Sequence, residues 1–439
     1  MKQYLVSIFL IFLCAKDLAA QKRVATFYDS LHMFKKEVYF ILNNDSSQIE
    51  GKYLKFHRNG IDAIKGEFKS GKPVGTFEEF YDTGEPLSKT NYEAGLKTGP
   101  FEIWSKEGDC IQKGTYKTGK LDGVIEVYFT SGKIKSSTTF KENVPEGLVK
   151  EYFSNGNLKR EFYHEQARQN GPASSYYEDG GIESKYNFKD GIIQGDFIVY
   201  HKNGKEQGTY VYKNGYKNGP YKNFDLQGNL ISEGSYKNGQ MDGSNVSYYS
   251  NGLKKTNYNF KSGAKFGKNT NYYPNGKPEK IEDYTKLTKD VNIQEFFDDG
   301  TLKSKKAYAN SNPVGTWTVY SANGKKLSET PYENGRRSGL VKRYSEEGKL
   351  LKTEPFVKGV RTGKVKIYYQ NGKLSSETNF KYDMKNGIHF GYHENKKMRE
   401  QGSFRNDKKD GKWIYYDNAG KATKTETYSS GRLISSSEN

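Results

Sequence analysis

The chain has 439 residues, of which 33% are hydrophobic and 28% charged, with a mean hydropathy of −0.93 and a formal net charge of +18. So few apolar residues exclude a polytopic membrane protein and disfavour an enzyme with a thick aliphatic core. Simple disorder is also disfavoured, because aromatic residues reach 15% of the chain and disordered segments contain few of them. The composition, with 36 Tyr and 47 Gly, favours a thin, turn-rich β structure with aromatic faces.

Residues 1–20 have the pattern of a signal peptide. A positively charged start precedes an apolar run from Tyr4 to Cys14, and Ala20 marks a cleavage site. The run is too short to span a bilayer, which needs about 20 residues. We therefore expect an exported protein that is periplasmic, associated with the cell envelope or secreted. After cleavage only Cys110 remains, so no internal disulfide is expected.

Residues 21–50 lack the regularly spaced glycines that follow. Glu37–Leu42 is predicted to be a strand, and Phe27–Ser30 a strand or turn before it. Repeat arrays need a terminal cap that covers their first edge, and this segment is predicted to supply it.

Residues 51–434 repeat with a period of 24. Steps of 24 from Gly51 to Gly411 meet glycine at fifteen of sixteen positions, and Val291 is the exception. Five places after each of these positions an aromatic residue occurs in all sixteen repeats, from Phe56 to Tyr416. Such self-similarity at a fixed period indicates a repeat architecture.

Each repeat contains two apolar stretches closed by turn signals such as Asn214-Gly215 and Asn371-Gly372. Both residue types accept positive φ, which two-residue hairpin turns require. The sequence therefore predicts an all-β protein, an elongated single-layer antiparallel β meander of about sixteen 24-residue hairpin repeats. Strands lie about 4.8 Å apart, so the array would extend about 150 Å. Each aromatic ring that recurs at the same position of every repeat is predicted to stack above the equivalent ring of the next repeat.

Segments such as Tyr200–Gly204 and Phe188–Gly195 resemble MORN repeats, and they match best the bacterial variant of that repeat. The resemblance covers residues 51–439. It extends to proteins described as antitoxins of the YwqK type and to exported proteins. It implies a β-hairpin array that serves as a scaffold, a dimerisation module or a membrane-proximal module.

Two departures from the repeat are predicted to matter for the domain boundaries. Around residues 284–291 both a turn glycine and the opening glycine of the repeat are missing. A change of curvature, a boundary or simple sequence drift would each account for this irregularity. The polar residues 435–439 are predicted to be a frayed tail.

The sequence contains no catalytic, cofactor-binding or metal-binding motif, so the protein is not expected to be an enzyme. His389 and His393 have a spacing that would suit metal ligands on a helix. The repeat explains them better, since His389 fills the place of Trp317 and Trp413, and His393 fills a place where other repeats carry tyrosine.

Two candidate binding surfaces remain. The first, the lysine column, occupies one turn position in five consecutive repeats and would suit an anionic ligand; its members are Lys325, Lys349, Lys373, Lys397 and Lys421. The second, the aromatic row, directly follows the conserved ring position and would suit a protein partner; its members are Tyr81, Phe129, Phe153, Tyr177, Tyr249, Tyr273, Phe297 and Tyr369.

The first functional hypothesis is a scaffold or binding protein that recognises another protein, including an antitoxin-like or immunity role. The alternative is peripheral attachment to anionic membrane lipid or cell-envelope glycan through the basic turns. Lysine also suits exposed turns and discourages edge pairing, so the column has a purely structural explanation as well. Export disfavours nucleic acid as the partner.

Overall fold

The computed structural model describes residues 21–285 and 290–439, and within these ranges the chain consists of strands and turns without any helix. A membrane-spanning helix is accordingly absent from the described ranges. Successive strands pair antiparallel as hairpins, so the predicted all-β meander of hairpin repeats is confirmed. The predicted signal peptide at residues 1–20 lies outside the described residues.

Two compact units divide the chain, Met1–Gly204 and Lys205–Asn439. The strands of the first unit are β1 (Gln21–Phe27), β2 (Lys35–Leu42), β3 (Gly51–Phe56), β4 (Asp62–Lys69), β5 (Lys72–Phe80), β6 (Pro86–Glu93), β7 (Leu96–Trp104), β8 (Cys110–Lys117), β9 (Lys120–Leu121), β10 (Gly123–Tyr128), β11 (Ile134–Lys141), β12 (Val144–Tyr152), β13 (Leu158–Glu165), β14 (Arg168–Tyr176), β15 (Ile182–Lys189), β16 (Ile192–Ile193) and β17 (Gly195–Tyr200).

The second unit continues the same alternation of strands and turns. Its strands are β18 (Glu206–Lys213), β19 (Tyr216–Phe224), β20 (Leu230–Lys237), β21 (Gln240–Met241), β22 (Gly243–Tyr248), β23 (Lys254–Lys261), β24 (Ala264–Lys265), β25 (Gly267–Tyr272), β26 (Pro278–Tyr284), β27 (Val291–Phe296), β28 (Leu302–Ala309), β29 (Asn312–Tyr320), β30 (Lys326–Glu333), β31 (Arg336–Arg337), β32 (Gly339–Tyr344), β33 (Leu350–Val357), β34 (Val360–Arg361), β35 (Gly363–Tyr368), β36 (Leu374–Lys381), β37 (Met384–Tyr392), β38 (Met398–Arg405), β39 (Lys408–Tyr416), β40 (Ala422–Ser429) and β41 (Arg432–Glu438).

The two turns of each repeat differ in geometry, although their sequences are alike. At Asn214 and Gly215 both φ angles are positive, 52° and 79°, as a two-residue type I′ turn requires. At the other turn only the glycine has a positive φ, as at Gly372 with 82°. Asn371 instead accepts the backbone N–H of Lys373 at 3.0 Å. The prediction of two equivalent two-residue turns was therefore wrong for this second turn, because its asparagine acts through its side chain.

Neighbouring repeats are joined at this second turn by asparagine side chains. The Nδ2 group of each donates to a backbone carbonyl 23 residues later in the chain, which belongs to the corresponding turn of the next repeat. The pairs are Asn59 with Asp82 at 2.6 Å, Asn155 with Glu178 at 2.9 Å, Asn251 with Pro274 at 2.9 Å, Asn275 with Asp298 at 2.7 Å, Asn323 with Glu346 at 3.0 Å and Asn395 with Asn418 at 2.7 Å. Each of these asparagine side chains thus stabilises its own turn and also holds the corresponding turn of the next repeat.

The core of each unit is a line of buried side chains two places after the repeat glycine. In the first unit these include Phe101, Ile125, Val149 and Ala173, and in the second Val341, Val365 and Trp413, all at most 5% exposed. They lie on alternate strands of the sheet, so side chains of the intervening strand must fill the gaps between them. The sheet therefore has a thin core built from one face.

Aromatic rings contact one another in a different order from the predicted one. Tyr53, Phe68, Phe77 and Tyr92 follow each other with centroid distances of 5.3, 5.5 and 4.9 Å. They alternate between two positions of the repeat. Equivalent rings lie two strands apart, about 9.6 Å, whereas ring pairs form at about 4.5–7 Å. The predicted stacking of equivalent rings is corrected accordingly, although one equivalent pair, His389 and Trp413, does stack at 5.5 Å.

The ends and the irregular repeat depart from the regular pattern only locally. Residues 21–50 contain β1 and β2, which pair with each other, and β2 pairs with β3. Residues 286–289 of the predicted irregularity lie outside the described residues, and the strands flanking them pair in register, with Tyr284 opposite Val291. At the predicted frayed tail, Ser435 instead pairs with Thr427, within strand β41, because the open edge of β40 offers its backbone groups for pairing.

Candidate functional site

The net charge of the chain is concentrated in one unit. Residues 205–439 carry 42 Lys and Arg against 25 Asp and Glu, a net charge of +17, whereas residues 21–204 carry 26 of each. Residues 301–400 alone hold 21 of the cations and nine of the anions. The summed field of these charges attracts anions to the second unit, not to the first.

The lysine column lies on consecutive exposed turns of the second unit. Each of its backbone N–H groups donates to a side-chain oxygen of its own turn, which fixes the backbone at every position. Lys397 also donates its ammonium group to the carbonyl of Ala419 at 2.7 Å. Within residues 21–285 and 290–439, no ammonium group of the column forms an ion pair with a carboxylate. The column therefore presents positive charge to solvent.

The aromatic row contributes to the contact between repeats. All eight side chains are half-buried. The five tyrosines donate their hydroxyl groups to a carbonyl 23 residues later, at 2.6–2.8 Å. The three phenylalanines have a lysine ammonium over the ring, at 5.5–6.0 Å from the centroid. His57 and His393 make the same carbonyl contact as the tyrosines, at 2.8 and 3.0 Å. The row is thus largely engaged within the fold.

One groove in the first unit brings two members of the aromatic row together. This mixed groove, of about 700 Å³, is lined by Phe153 and Tyr177 together with Lys159, Asp179 and Glu183. Three cations and three carboxylates line it, so it has no strong charge preference.

A larger groove in the second unit has a different character. This basic groove has a volume of about 790 Å³ and crosses strands β30, β32, β33 and β35; its polar and aromatic lining includes Ser328, Arg337, Arg343, Tyr344, Lys352 and Tyr368. The volume lies in the range of small-molecule sites, about 300–1,000 Å³. No carboxylate is among the residues that line it.

One buried carboxylate contacts two cations that line the basic groove and a third cation, Arg361. Glu354 is 5% exposed, and its oxygens lie 2.9 Å from Lys352 Nζ, 3.3 Å from Arg361 Nη1 and 3.6 Å from Arg343 Nε. Burial by itself would raise the pKa of Glu354, but hydrogen bonding to Lys352 and the charges of Lys352 and Arg343 lower it overall. A single ionised carboxylate therefore holds three cations and leaves an excess of positive charge.

Tyr344 at the edge of the basic groove is also held in place. Its hydroxyl donates to Glu329 Oε2 at 2.7 Å. Burial and this bond to a carboxylate raise the pKa of Tyr344 to about 12. The phenol stays neutral at physiological pH and presents a ring of fixed orientation.

Sequence analysis missed a second set of periodic cations on the strands of the second unit. Each of them lies over an aromatic ring of the following repeat: Arg337 over Phe356 at 4.0 Å, Arg361 over Phe380 at 4.1 Å, Lys385 over Phe404 at 4.8 Å and Lys409 over Tyr428 at 5.0 Å. Their spacing of 24 was the available signal. This spacing was hard to recognise because two of the repeats carry arginine at the position and the other two carry lysine. Arg343 and Lys352 recur in no such series and could not have been found this way.

A reactive thiol and a metal site are the other kinds of chemistry to consider. Burial raises the pKa of the Cys110 thiol, which makes it a poor nucleophile. Among the described residues no three His, Cys, Asp or Glu side chains form a group that could hold a metal ion. The surfaces described above can contact a ligand through charge, hydrogen bonds and aromatic rings.

These features define a β-hairpin repeat protein with a basic face in its second unit. The family model of the MORN repeat variant matches ten segments of the chain: 73–94, 121–142, 145–166, 169–190, 217–238, 267–286, 313–334, 337–358, 361–382 and 385–406. These ten segments are therefore MORN repeats of the variant type, as the sequence resemblance implied. The antitoxin assignment is not part of this match.

Other comparisons add little. A comparison with curated proteins gives no match. A crystal structure of TcdB2-TccC3 aligns at 10% identity over 94% of this chain and 27% of that chain, with a TM-score of 0.16. A structure of the Photorhabdus luminescens Tc holotoxin pore aligns at 10% identity over 93% and 26%, with a TM-score of 0.15. This chain spans about a quarter of the length of those chains, and TM-scores of this size do not establish a shared fold.

Proposed function

We propose that the chain is an exported, non-enzymatic MORN-repeat scaffold that binds an anionic partner through residues 205–439. The observation that carries the proposal is the charge distribution. A net charge of +17 resides in the second unit, and residues 21–204 are neutral. Export rests on the sequence of residues 1–20, and the absence of catalysis rests on the lack of catalytic motifs.

The lysine column supports this proposal at the level of single residues. Its five side chains are exposed on consecutive turns, and hydrogen bonds fix the backbone at each of them. The cations lie on turns with a fixed backbone, about 10 Å from one repeat to the next. Their summed field would attract a flexible polyanion or an anionic surface.

Salt-dependent binding tests the proposal. The purified protein is immobilised and exposed separately to anionic vesicles, an acidic polysaccharide and an acidic protein, each with a neutral counterpart. We expect at least one anionic probe to bind and to be released by about 0.5 M salt, at which charges are screened beyond about 4 Å. Changing Lys325, Lys373 and Lys421 to Glu should weaken that binding at least tenfold.

The matched control reverses three charges in the first unit. Lys69, Lys117 and Lys141 are the exposed last residues of strands β4, β8 and β11, and their change to Glu alters the net charge of the chain by the same amount. Equal loss of binding in both triple variants would mean that binding depends on the net charge of the protein and not on the lysine column. Failure of every anionic probe to bind would overturn the proposal.

A second candidate function is recognition of a protein by the first unit. Leu96, Val144 and Ile192 occupy one position of the repeat at 48-residue intervals, and they are 52%, 42% and 48% exposed. Exposed apolar side chains in a regular row suit a protein interface. Changing the three residues to Ser should abolish capture of a partner that withstands about 0.5 M salt. Capture that persists in this variant would exclude the surface.

A further inference from the structure

The basic groove is concave as well as positive. Arg337, Arg343 and Lys352 line it together with the polar residues Ser328 and Thr330. In the lysine column the cations lie on separate turns, but here they surround a single space of about 790 Å³. A ligand in this space would contact several cations at once.

The cations of the groove are prearranged by contacts below them. The guanidinium group of Arg337 lies 4.0 Å from the ring centroid of Phe356, and the carboxylate of Glu354 lies 2.9 Å from Lys352 Nζ and 3.6 Å from Arg343 Nε. Arg343 nevertheless keeps 62% of its side chain exposed, so its guanidinium remains accessible. Prearranged donors bind an anion with little loss of conformational entropy.

The strands that form the groove offer no free backbone edge. β30 pairs with β29 and β32, and β33 pairs with β32 and β35. An extended peptide could not join the sheet here as an added strand, which is the usual way a β edge binds a peptide. Recognition must come from side chains alone.

Those side chains match a sugar better than a peptide. Tyr344 and Tyr368 lie at one side of the groove, and hydroxyl groups of Ser328 and Thr330 line it. Aromatic rings pack against the apolar faces of sugar rings, and the side-chain hydroxyls can exchange hydrogen bonds with sugar hydroxyls. Arginine recognises carboxylate groups through two parallel hydrogen bonds.

We propose that the basic groove is a binding site for an oligosaccharide that carries carboxylate groups. Arg337 and Arg343 bind the carboxylates, Lys352 adds positive charge, and Tyr344 and Tyr368 contact the sugar rings. This inference rests on the proposed function, since it names the ligand class of the anion-binding unit. Lys349 of the lysine column lies three residues before Lys352 in the chain, and the column would attract the same ligand from solution.

The test is a calorimetric titration of the full protein with short oligogalacturonate, with its methyl ester as the neutral counterpart. We expect the acid form to bind and the ester to bind at least tenfold more weakly. Arg343→Gln and, separately, Arg337→Gln should each reduce the affinity for the acid form at least tenfold. Arg343→Lys should lose part of the affinity, because the charge remains but the paired donors do not.

The control variant removes two cations from the mixed groove. Lys159 and Lys202 line that groove in the first unit, and their change to Gln should leave the titration unchanged. Equal binding of acid and ester, equal loss in the control variant, or stronger Arg343-dependent binding of anionic vesicles or of an acidic peptide would each overturn the proposal.

The outcomes separate this proposal from the preceding one. If oligogalacturonate does not bind but another anionic probe does, and the lysine-column variant releases it, the groove proposal fails and the proposed function stands. If no anionic probe binds, both fail. A circular dichroism spectrum and melting temperature for each variant confirm that the fold is retained.

Discussion

Glycine has two distinct uses in this chain, and only one of them concerns turns. Gly66, Gly114 and Gly402 lie in strands, and their φ angles are not positive. A Cβ atom at Gly402 would overlap the indole ring of Trp413, and one at Gly114 would overlap Ile125. At these positions glycine makes room for a large core side chain of the next repeat.

Gly402→Ala should therefore destabilise the protein. Trp413 is 1% exposed and cannot move aside, so overpacking should lower the free energy of unfolding by about 1–3 kcal/mol. Urea denaturation measures the change. Gly181→Ala is the control, because its Cβ would come no closer than 3.3 Å to a neighbouring atom. In a double-mutant cycle, Gly402→Ala should lower the free energy of unfolding less in a Trp413→Val background than in the unchanged protein, because the smaller side chain leaves room for the added methyl group. Equal effects in the two backgrounds would contradict the packing explanation.

Buried carboxylates at one position of the repeat are the second feature at this scale. Glu426 lies 2.6 Å from Lys424 Nζ and accepts hydrogen bonds from the hydroxyls of Tyr428 and Tyr415, both at 2.8 Å. The bond to Lys424, followed by those to the two tyrosines, lowers the pKa of Glu426 from 4.5 to about 2. The folded state thus favours the ionised form.

This carboxylate should make stability depend on pH. A folded-state pKa below the unfolded one stabilises the protein at pH values above the unfolded pKa and loses that effect as the pH falls toward 2. Glu426→Gln should lower the urea midpoint at neutral pH, and its difference from the unchanged protein should narrow between about pH 5 and pH 3. Glu107→Gln, at an exposed residue, should show little change. A constant difference across this range would contradict the assignment.

At the scale of elements, the second turn of each repeat is the joint between neighbouring hairpins. Asn275 illustrates it: Oδ1 accepts the N–H of Lys277 at 3.0 Å, and Nδ2 donates to the carbonyl of Asp298 at 2.7 Å. In one repeat the equivalent residue is Asp299, which accepts the N–H of Thr301 at 2.7 Å but has no side-chain donor. The chain thus contains one version of the joint with an asparagine, which has the side-chain donor, and another with an aspartate, which lacks it.

Exchanging the two residues tests the joint. Asn275→Asp keeps the acceptor and removes the donor, so it should lower the free energy of unfolding by about 0.5–1.5 kcal/mol. Asp299→Asn adds a donor toward the next turn and should stabilise by a similar or smaller amount. Denaturation of both variants gives the two values. Changes of the same sign in both variants would contradict the role assigned to the side-chain donor.

At the scale of the whole molecule, the most extensive contacts join strands that are neighbours in the chain order, such as β36 with β37 and β37 with β38. In arrays of this kind stability is approximately a sum of local terms. A destabilised hairpin should therefore open without unfolding distant ones.

Hydrogen exchange measured by mass spectrometry checks this locality. In the Gly402→Ala variant we expect reduced protection in β36–β41 and unchanged protection in β3–β8, because Gly402 in β38 and Trp413 in β39 pack within strands that are neighbours in the chain order. A uniform loss of protection along the chain would indicate a single cooperative unit and contradict the prediction.

The sequence by itself determined the all-β class, the period, the boundaries of the hairpins and the lysine column. Periodic glycines and aromatics carry that information because each repeat forms the same local structure. It also located the aromatic row, but not the engagement of its hydroxyl groups, which depends on where the carbonyls of the next repeat lie.

Only the tertiary structure decided which residues meet across strands. Ring contacts alternate between two positions of the repeat because strand spacing separates equivalent rings. Arg337, Arg343 and Lys352 come from three different strands and meet in one groove, which no single position of the repeat reveals. The division of charge between two units likewise needed the structural boundary at Gly204, since the repeat continues through it without interruption.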